Sequence, residues 1–354
     1  MKILSIETSC DETAAAILDG EKVLSNVVAS QIDIHKKIGG IVPEVASRAH
    51  VEKILPVIEE ALKKAGVDIK DIDLIAATIG PGLIGSLLVG VETAKTLAYA
   101  YEKPIIGINH LEGHIYANWI ENKPELPAVI LIVSGGHTSL VHMKKMDDFK
   151  IIGETRDDAA GEAFDKVAAL LGLEYPGGPA IEEAAQEAKL KMKNVKLKIK
   201  EPIKIKFPRP MLNQDDFSFS GLKTAVLYES IKLKKQLSNN RSTIEQLPSN
   251  LRSQIAYEFQ KALVDSLVIK TIKAAQKYKV RSILLSGGVA ANKLLRTELE
   301  KRARGENFKF HVPSFEYCTD NAAMIGMAAY IKSLKAKPQP WSQIEADANL
   351  DLFT

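Results

Sequence analysis

Cysteine is nearly absent from this chain of 354 residues, which contains only Cys10 and Cys318. Two cysteines so far apart argue against a disulfide framework, and they fit a reducing compartment such as the cytoplasm. Aromatic residues make up 6% of the chain and the formal net charge is only +3, so composition neither demands nor excludes a nucleic-acid partner. The sequence has no uncharged apolar run of membrane-spanning length and no signal peptide at its start, so we predict no membrane association.

The length of 354 residues is sufficient for two ordinary domains, each with its own core. A short polar segment at 121–127 indicates a boundary, so we expect a first half at 1–120 and a second half at 121–335. The remaining residues, 336–354, form a tail that we expect to be frayed.

Two histidines, His110 and His114, follow a short apolar stretch at 103–109 that is typical of a strand. A spacing of four residues on a helix puts both imidazoles on the same side, where they can bind one divalent metal ion. Binding sites in open α/β sheets lie at the carboxyl ends of strands, which is where His110 is predicted to lie. The alternative is an ordinary surface helix, because two histidines at this spacing are common.

Turns rich in glycine and hydroxyl groups follow several predicted strands. The strand at 128–133 leads into Ser-Gly-Gly-His-Thr at 134–138, and the strand at 282–285 leads into a second Ser-Gly-Gly turn at 286–292. The polar loop at 8–13 follows the first strand in the same way. Backbone N–H groups in such turns can bind phosphate, so the three together predict a nucleotide cleft, although each alone could be a turn without function.

Acidic residues suggest further contacts, and each has a structural alternative. Asp165 lies in an acid-rich stretch at 156–166 and could accept the hydroxyl groups of a ribose, although such acids usually cap helices. Thr319 or Asp320 is predicted to cap the final helix. His50, on a helix predicted from Pro43 to about residue 65, is expected to be solvated or to cap.

A lysine-rich stretch at 189–209 is the one oddity of composition, because its lysines alternate with apolar residues as in a strand. One interpretation is an edge strand whose lysines prevent pairing with other strands. The other is a basic ribbon that binds a phosphate backbone.

Taken together, these segments resemble the TsaD/Gcp/OSGEP family, and in particular its bacterial and organellar TsaD branch. The resemblance extends from residue 3 to about residue 333, with the segments in the same order, and 40–44 indicates the bacterial branch. The matching segments are 7–13, 40–44, 80–82, 109–114, 133–138, 158–165, 175–179, 217–222, 286–292 and 319–326.

The resemblance implies an α/β fold of the actin/Hsp70/sugar-kinase (ASKHA) class, with two ribonuclease-H-like halves around a nucleotide cleft. It also implies a reaction, in which the threonylcarbamoyl group of threonylcarbamoyl-AMP is transferred to N6 of adenosine 37 in tRNAs that read ANN codons, with release of AMP. By resemblance, one divalent ion is bound by His110, His114 and Asp320. Ligand type leaves both Fe²⁺ and Zn²⁺ open.

The resemblance also supplies candidates for adenylate binding, one of which, Glu182, stands where the family has an aspartate. The base that accepts a proton is open among three residues, Asp11, Glu12 and His137. The implied adenylate-binding residues are Val133, Ser134, Gly135, Gly136, His137, Asp165, Gly178, Glu182 and Asn292.

Implied partners are tRNA, a TsaB-type subunit that forms a heterodimer, a TsaE-type ATPase and a TsaC-type enzyme that supplies the adenylate. A zinc protease is disfavoured, because a His-Glu-x-x-His helix needs glutamate where this chain has Leu111. An ATP-dependent small-molecule kinase of the same fold and a nucleotide-binding scaffold without catalysis stay open as competing functions, because a fold does not fix a function.

Overall fold

The chain folds into two compact units, each of which contains a five-stranded mixed sheet. The first unit combines Met1–Pro124 with His311–Thr354, and the second is Glu125–Phe310. The division therefore differs from the expected second half at 121–335, because the residues after 310 belong to the first unit. The computed structural model describes residues 1–194, 205–238 and 247–352.

The strands agree closely with the apolar runs of the sequence, since a strand that is buried on both faces is apolar along its length. The strands within residues 1–194, 205–238 and 247–352 are β1 (Lys2–Glu7), β2 (Glu12–Asp19), β3 (Lys22–Ser30), β4 (Leu74–Gly80), β5 (Ile105–Asn109), β6 (Ala128–Val133), β7 (Thr138–Lys145), β8 (Asp148–Glu154), β9 (Ser282–Ser286) and β10 (Lys309–His311).

The helices vary widely in length, from one turn to eight. In the described residues they are α1 (Ile32–Ile38), α2 (Pro43–Ala65), α3 (Ile84–Ala100), α4 (His110–Tyr116), α5 (Asn118–Glu121), α6 (Ala160–Leu170), α7 (Gly177–Asn194), α8 (Ser220–Ser238), α9 (Ser249–Lys277), α10 (Lys293–Gly305) and α11 (Ala322–Ser333).

The two sheets have the same topology. The first has the order β3-β2-β1-β4-β5, with β1, β2 and β3 antiparallel and with β4 and β5 parallel to β1. The second has the order β10-β9-β6-β7-β8, with β6, β7 and β8 antiparallel and β9 parallel to β6. In each unit, parallel strands place their carboxyl ends at one edge of the sheet, where the polar turns of the sequence follow.

Helix α2 begins and ends where the sequence predicts. Pro43 occupies the first turn, and Gly66 ends the helix in the left-handed conformation at φ 67°. The inner face of α2 packs with α3 against the first sheet, in a core that includes Ile54, Ile58 and Val91. This core fixes the sheet whose edge carries His110.

The expectations for the lysine-rich stretch and for the tail are wrong. The strand-like pattern that starts at Lys189 is helical through Asn194, because α7 continues to that residue. The rest of the stretch at 195–204 lies outside the described residues. The tail is not frayed, since the amide of Gln339 donates to the carbonyl of Ile105 and Ile344 is buried in the first core.

Within the described part of the chain, no helix combines the length and the apolar character that are needed to span a bilayer.

Candidate metal centre and nucleotide loops

The histidine pair lies on a helix of seven residues at the end of a buried strand. Helix α4 begins at His110, directly after β5, and the side chain of Asn109 caps it by accepting a hydrogen bond from the amide of Leu111 at 2.8 Å. Both His110 and His114 are buried, and their rings lie 4.7 Å apart between centroids. The predicted placement of the two imidazoles on one side of a helix is confirmed.

Asp320 completes a group of three possible metal ligands. Its Oδ1 lies 3.1 Å from Nε2 of His114 and 3.5 Å from Nε2 of His110. One ligand atom from each of the three residues lies within 4.8 Å of the others. Two imidazole nitrogens and one carboxylate oxygen form a donor set that suits a divalent transition metal and leaves coordination positions open for substrate.

The cap of the final helix is neither of the predicted residues. Helix α11 is capped by Asn321, whose side chain accepts a hydrogen bond from the amide of Met324 at 3.0 Å. The expectation that Thr319 or Asp320 caps this helix is therefore wrong. Asn321 accepts the hydrogen bond that a capping residue would take from the first turn of α11. The carboxylate of Asp320 faces the two histidines instead.

Glu7 supports His110 from the side opposite the proposed ligand atom. It is the last residue of β1 and is fully buried, with Oε2 lying 3.0 Å from Nδ1 of His110 and accepting from the hydroxyl of Thr78 at 2.7 Å. Oγ of Ser9 lies 3.1 Å from the same Nδ1. A carboxylate behind a histidine fixes the ring and directs its other nitrogen to a metal. The sequence signal for Glu7 was a charged residue that ends an apolar strand.

The electrostatics of this pair favour a charged histidine when no metal is bound. Burial disfavours the imidazolium of His110, but the carboxylates of Glu7 and Asp320 outweigh it and raise the pKa to about 9. Burial likewise acts to raise the pKa of Glu7, but the charge of His110 overrides it and lowers that pKa. A divalent cation at Nε2 would replace the proton there and lie beside the carboxylate of Asp320, while Glu7 would still hold Nδ1.

Two of the three candidate bases follow β1: Asp11 is the last residue of the loop, and Glu12 is the first residue of β2. Burial, followed by the nearby carboxylate of Asp320, raises the pKa of Asp11. Burial also raises the pKa of Glu12 to about 8, against the hydrogen bond from Ser30. Oε1 of Glu12 accepts that bond at 2.8 Å, while Oε2 is buried without a hydrogen-bond partner among the described residues.

His50 anchors the same loop and is not solvated. It is fully buried, its Nδ1 lies 2.8 Å from Oγ1 of Thr13, and its Nε2 lies 3.0 Å from the carbonyl of Cys10. The expectation of a solvated residue is wrong because α2 packs this face against β2. His50 thus holds the segment that contains Asp11 and Glu12.

The glycine-rich turn of the second unit follows β6. The amide of Ser134 donates to the carbonyl of His137 at 2.8 Å, and the glycines between them are exposed. At the start of α6, the amide of Gly161 donates to the carbonyl of Ser134 at 3.1 Å. A side chain at Gly161 would lie 2.6 Å from that carbonyl, so only glycine lets the helix start approach the turn. Positive helix N-termini beside exposed amides are suited to anions.

The second Ser-Gly-Gly turn lies against the first. Gly287 adopts φ +89°, and a Cβ on it would lie 2.3 Å from the carbonyl of Val133. Asn292 follows this turn and caps α10, since its side chain accepts a hydrogen bond from the amide of Leu295 at 3.0 Å. The two predicted turns are therefore neighbours at one edge of the second sheet.

Two candidate adenylate-binding residues, Asp165 and Glu182, accept hydrogen bonds from backbone amides at this edge of the second sheet. Oδ1 of Asp165 accepts from the amide of Gly177 at 2.7 Å, next to Gly178 at the start of α7. Oε1 of Glu182 accepts from the amide of Lys293 at 2.9 Å, beside Asn292. These bonds join α6 to α7 and α7 to α10. His137, the third candidate base, belongs to this unit, whereas Asp11 and Glu12 belong to the other.

Comparisons of the sequence with a family profile and with curated proteins identify the same family. A family profile described as "TsaD: tRNA N6-adenosine threonylcarbamoyltransferase" matches residues 22–327. A protein named tRNA N6-adenosine threonylcarbamoyltransferase from Caldicellulosiruptor saccharolyticus is 51% identical over 346 residues, which cover 97% of this chain and 96% of the relative. One of the same name from Syntrophomonas wolfei is 52% identical over 332 residues, which cover 93% and 91%.

Among solved structures, HypF from T. kodakarensis matches with a TM-score of 0.59 at 16% identity, over 94% of this chain and 48% of that chain. At this identity the likeness concerns the fold alone. With the repeated sheet topology, it confirms the predicted α/β fold of the actin/Hsp70/sugar-kinase class.

Proposed function

The chain belongs to the TsaD family of tRNA N6-adenosine threonylcarbamoyltransferases, and from this premise we propose the reaction that it catalyses. It transfers the threonylcarbamoyl group of threonylcarbamoyl-AMP to N6 of adenosine 37 in tRNAs that read ANN codons. The N6–carbon bond forms, the carbon–oxygen bond to the phosphate breaks, a proton leaves N6, and AMP is released. The observation that carries this proposal is the convergence of His110, His114 and Asp320 within 4.8 Å in a member of this family.

We assign these three residues as ligands of one divalent ion, Fe²⁺ or Zn²⁺. Imidazole nitrogen suits both metals, so the donor set does not choose between them. When bound, the ion supplies Lewis-acid stabilisation of the negative charge that develops on the oxygens of the adenylate. Glu7 and Ser9 hold Nδ1 of His110, which would leave Nε2 to bind the ion.

A base is needed because N6 of adenine is a weak nucleophile whose lone pair is delocalised into the ring. The proton of N6 must leave as the new bond to carbon forms. Glu12 is our first candidate, since a pKa of about 8 lies near neutral pH, where a carboxylate is both a strong base and partly ionised. Asp11 and His137 remain the alternatives in this proposal.

The second unit binds the adenylate in this proposal. Backbone amides of the turn 133–137 and of the start of α6 donate hydrogen bonds to the phosphate. Asp165 accepts ribose hydroxyl groups, with Gly178, Glu182 and Asn292 at the same edge. The hydrogen bonds of Asp165 and Glu182 to backbone amides support a fixed site, which provides the proximity that group transfer needs.

Protein partners form a further part of the proposal. Val51 and Leu55 on α2, and Ile84 and Leu88 on α3, are exposed apolar side chains. The two helices adjoin, because a side chain at Gly85 would lie 2.5 Å from Oγ of Ser47. An apolar face of this kind supports docking of a TsaB-type subunit. The TsaE-type ATPase, the TsaC-type source of adenylate and a cytoplasmic location follow from the proposed reaction.

The test is turnover by the purified chain, together with its TsaB-type and TsaE-type partners. With threonylcarbamoyl-AMP and unmodified tRNA, we expect threonylcarbamoyladenosine in the tRNA by nucleoside mass spectrometry and an equal amount of AMP. His110→Ala should lose both. Phosphorylation of a small molecule with no change in tRNA would support the kinase alternative. Nucleotide binding without either product would support the scaffold alternative.

A further inference from the structure

The last described part of the chain, residues 344–352, forms a strap across the end of β4. It begins at Ile344, which is 1% exposed in the core of the first unit, and its other end is the buried Leu352. Between them, the amide of Asp347 donates to the carbonyl of Ile79 at 2.7 Å. The carbonyl of Ala348 accepts from the amide of Gly82 at 3.2 Å. The strap therefore covers the turn that leads from β4 into α3.

The backbone under the strap leaves room for it. A Cβ at Gly80 would lie 1.9 Å from the carbonyl oxygen of Asp347 and 2.9 Å from Cβ of Leu350. Gly80 also has φ +154°, a conformation that side chains rarely adopt. Any larger residue at position 80 would displace the strap. The close approach of the strap to this turn thus depends on a glycine.

One route leads from the strap to His110 through the cap of its helix. Nδ2 of Asn109 donates to the carbonyl of Asp351 at 3.0 Å, while Oδ1 of the same side chain accepts from the amide of Leu111. Asn109 directly precedes His110. Its amide group is therefore held from both sides, by the strap and by the first turn of α4.

A second route passes through the turn after β4. The amide of Leu83 donates to the carbonyl of Ser9 at 2.7 Å, and a Cβ at Gly82 would lie 2.5 Å from that carbonyl. Oγ of Ser9 in turn lies 3.1 Å from Nδ1 of His110. The strap thus reaches both the backbone before His110 and the hydroxyl that contacts its ring.

We propose that the strap at 344–352 is a positioning element of the metal centre, which sets the place and ring orientation of His110 through Asn109 and Ser9. Helix α4 has only seven residues, and a helix this short has little stability of its own. Its start must therefore be held by contacts from elsewhere in the unit. The inference rests on the metal ligands assigned under the proposed function, but not on the reaction.

The experiment compares two shortened chains, one ending at Leu352 and one ending at Ala346. The first retains every strap contact described above, and the second removes them while leaving Ile344 in the core. Zn²⁺ affinity is measured in competition with a chromophoric chelator, in the absence of tRNA and partners. Loss of a group that orients a metal ligand typically weakens binding by about 10–100-fold, and we expect this loss only in the chain ending at Ala346.

A point variant covers the case in which the shorter chain does not fold. Asn109→Ser retains a residue that caps helices well, but serine is too short to reach the carbonyl of Asp351. We expect about a tenfold loss of Zn²⁺ affinity, the lower end of the range for orienting groups, with a melting temperature of the metal-free protein within a few degrees of the parent. A role limited to stability would lower the melting temperature and leave the affinity of the folded protein unchanged.

The outcomes separate this inference from the proposed function. Equal affinity of the Ala346 and Leu352 chains, or of Asn109→Ser and its parent where the shorter chain does not fold, would overturn the role of the strap. Failure of the Leu352 chain to bind Zn²⁺ or Fe²⁺ would instead overturn the metal ligands. A strap effect on affinity in a protein that never modifies tRNA would support the strap and contradict the proposed reaction.

Discussion

Oε2 of Glu7 and Nδ1 of His110 lie 3.0 Å apart, although 103 residues separate them in the chain. The contact joins the end of β1 to the start of α4, the helix that follows β5. In the sheet, β4 lies between β1 and β5. The contact occupies one nitrogen of the ring and leaves the other facing Asp320. The chemistry proposed for the first unit depends on this orientation.

Glu7→Gln should weaken metal binding while leaving the fold in place. Glutamine keeps the shape of glutamate, but it removes the charge that supports His110 and replaces one acceptor oxygen with a donor NH2 group. We expect about a tenfold loss of Zn²⁺ affinity, the lower end of the range for such groups. Competition with a chelator provides the measurement. Glu59→Gln, at an exposed position on α2, is the matched control and should bind as the parent does; a parent-like affinity of Glu7→Gln would contradict the role assigned to Glu7.

Metal binding should release a proton and should strengthen as pH rises from 7 to 8. The pKa of His110 in the metal-free protein is raised to about 9, so its imidazole is mostly protonated in this range and must lose that proton to become a ligand. Titration calorimetry in buffers of different ionisation enthalpy counts the protons released. In the metal-free protein, the attraction between the His110 imidazolium and its carboxylates adds to the free energy of unfolding. This contribution is fully present below pH 6.5 and is lost as pH rises through 9. Binding that is independent of pH would show that His110 is already neutral.

Glu12→Gln should stabilise the protein at alkaline pH and not at acidic pH. The folded-state pKa of Glu12 is about 8, above its ordinary value of 4.5, so the fold binds the proton more tightly than the unfolded chain does. The free energy of unfolding therefore falls as pH rises from 4.5 to 8. Above pH 8, the full destabilisation from ionising the buried Glu12 is present. Glutamine cannot ionise and does not bear this cost.

The measurement for Glu12→Gln is the melting temperature of the variant and of the parent at pH 4.5 and pH 8.5. We expect a higher value for the variant at pH 8.5 and no difference at pH 4.5. If Glu12 is the base, transfer to tRNA should also fall by about 10²–10⁴-fold. An equal difference in melting temperature at both pH values would mean that ionisation of Glu12 is not the cause.

Gly287→Ala should destabilise the second unit, and Gly288→Ala should do so far less. Gly287 has φ +89°, and its Cβ would lie 2.3 Å from the carbonyl of Val133, whereas a Cβ at Gly288 would meet nothing within 4 Å. A non-glycine residue held in such a conformation costs about 1–3 kcal/mol before the clash is counted. Denaturant unfolding of the two variants measures the difference. Equal stability of the pair would show that β6 and β9 can separate at this turn without cost.

Local features of this protein were readable from its sequence. Pro43 marks the start of α2, the apolar runs mark β5, β6 and β9, and the spacing of His110 and His114 places both rings on one side of α4. These features depend on residues within a few positions of one another. Periodicity and capping preferences are therefore sufficient to predict them.

The lysine-rich pattern shows where such local reading fails. Alternation of lysine and apolar residues predicts a strand from Lys189, yet the structure continues α7 to Asn194. Lysine and leucine are also good helix formers, and the apolar positions Ile181, Ala184, Ala185 and Ala188 bury a helical face. Packing of that face, which the two-residue alternation does not describe, decided the outcome.

The sequence by itself determined the strands, the polar turns after them, the helix that carries two histidines, and the family to which the chain is similar. Only the tertiary structure decided that Asp320 faces those histidines, that Glu7 supports His110, and that the strap reaches Asn109. The physical reason is distance along the chain. Caps and helical faces are set by neighbouring residues, whereas these contacts join segments that meet only after the sheet has formed and its core has packed.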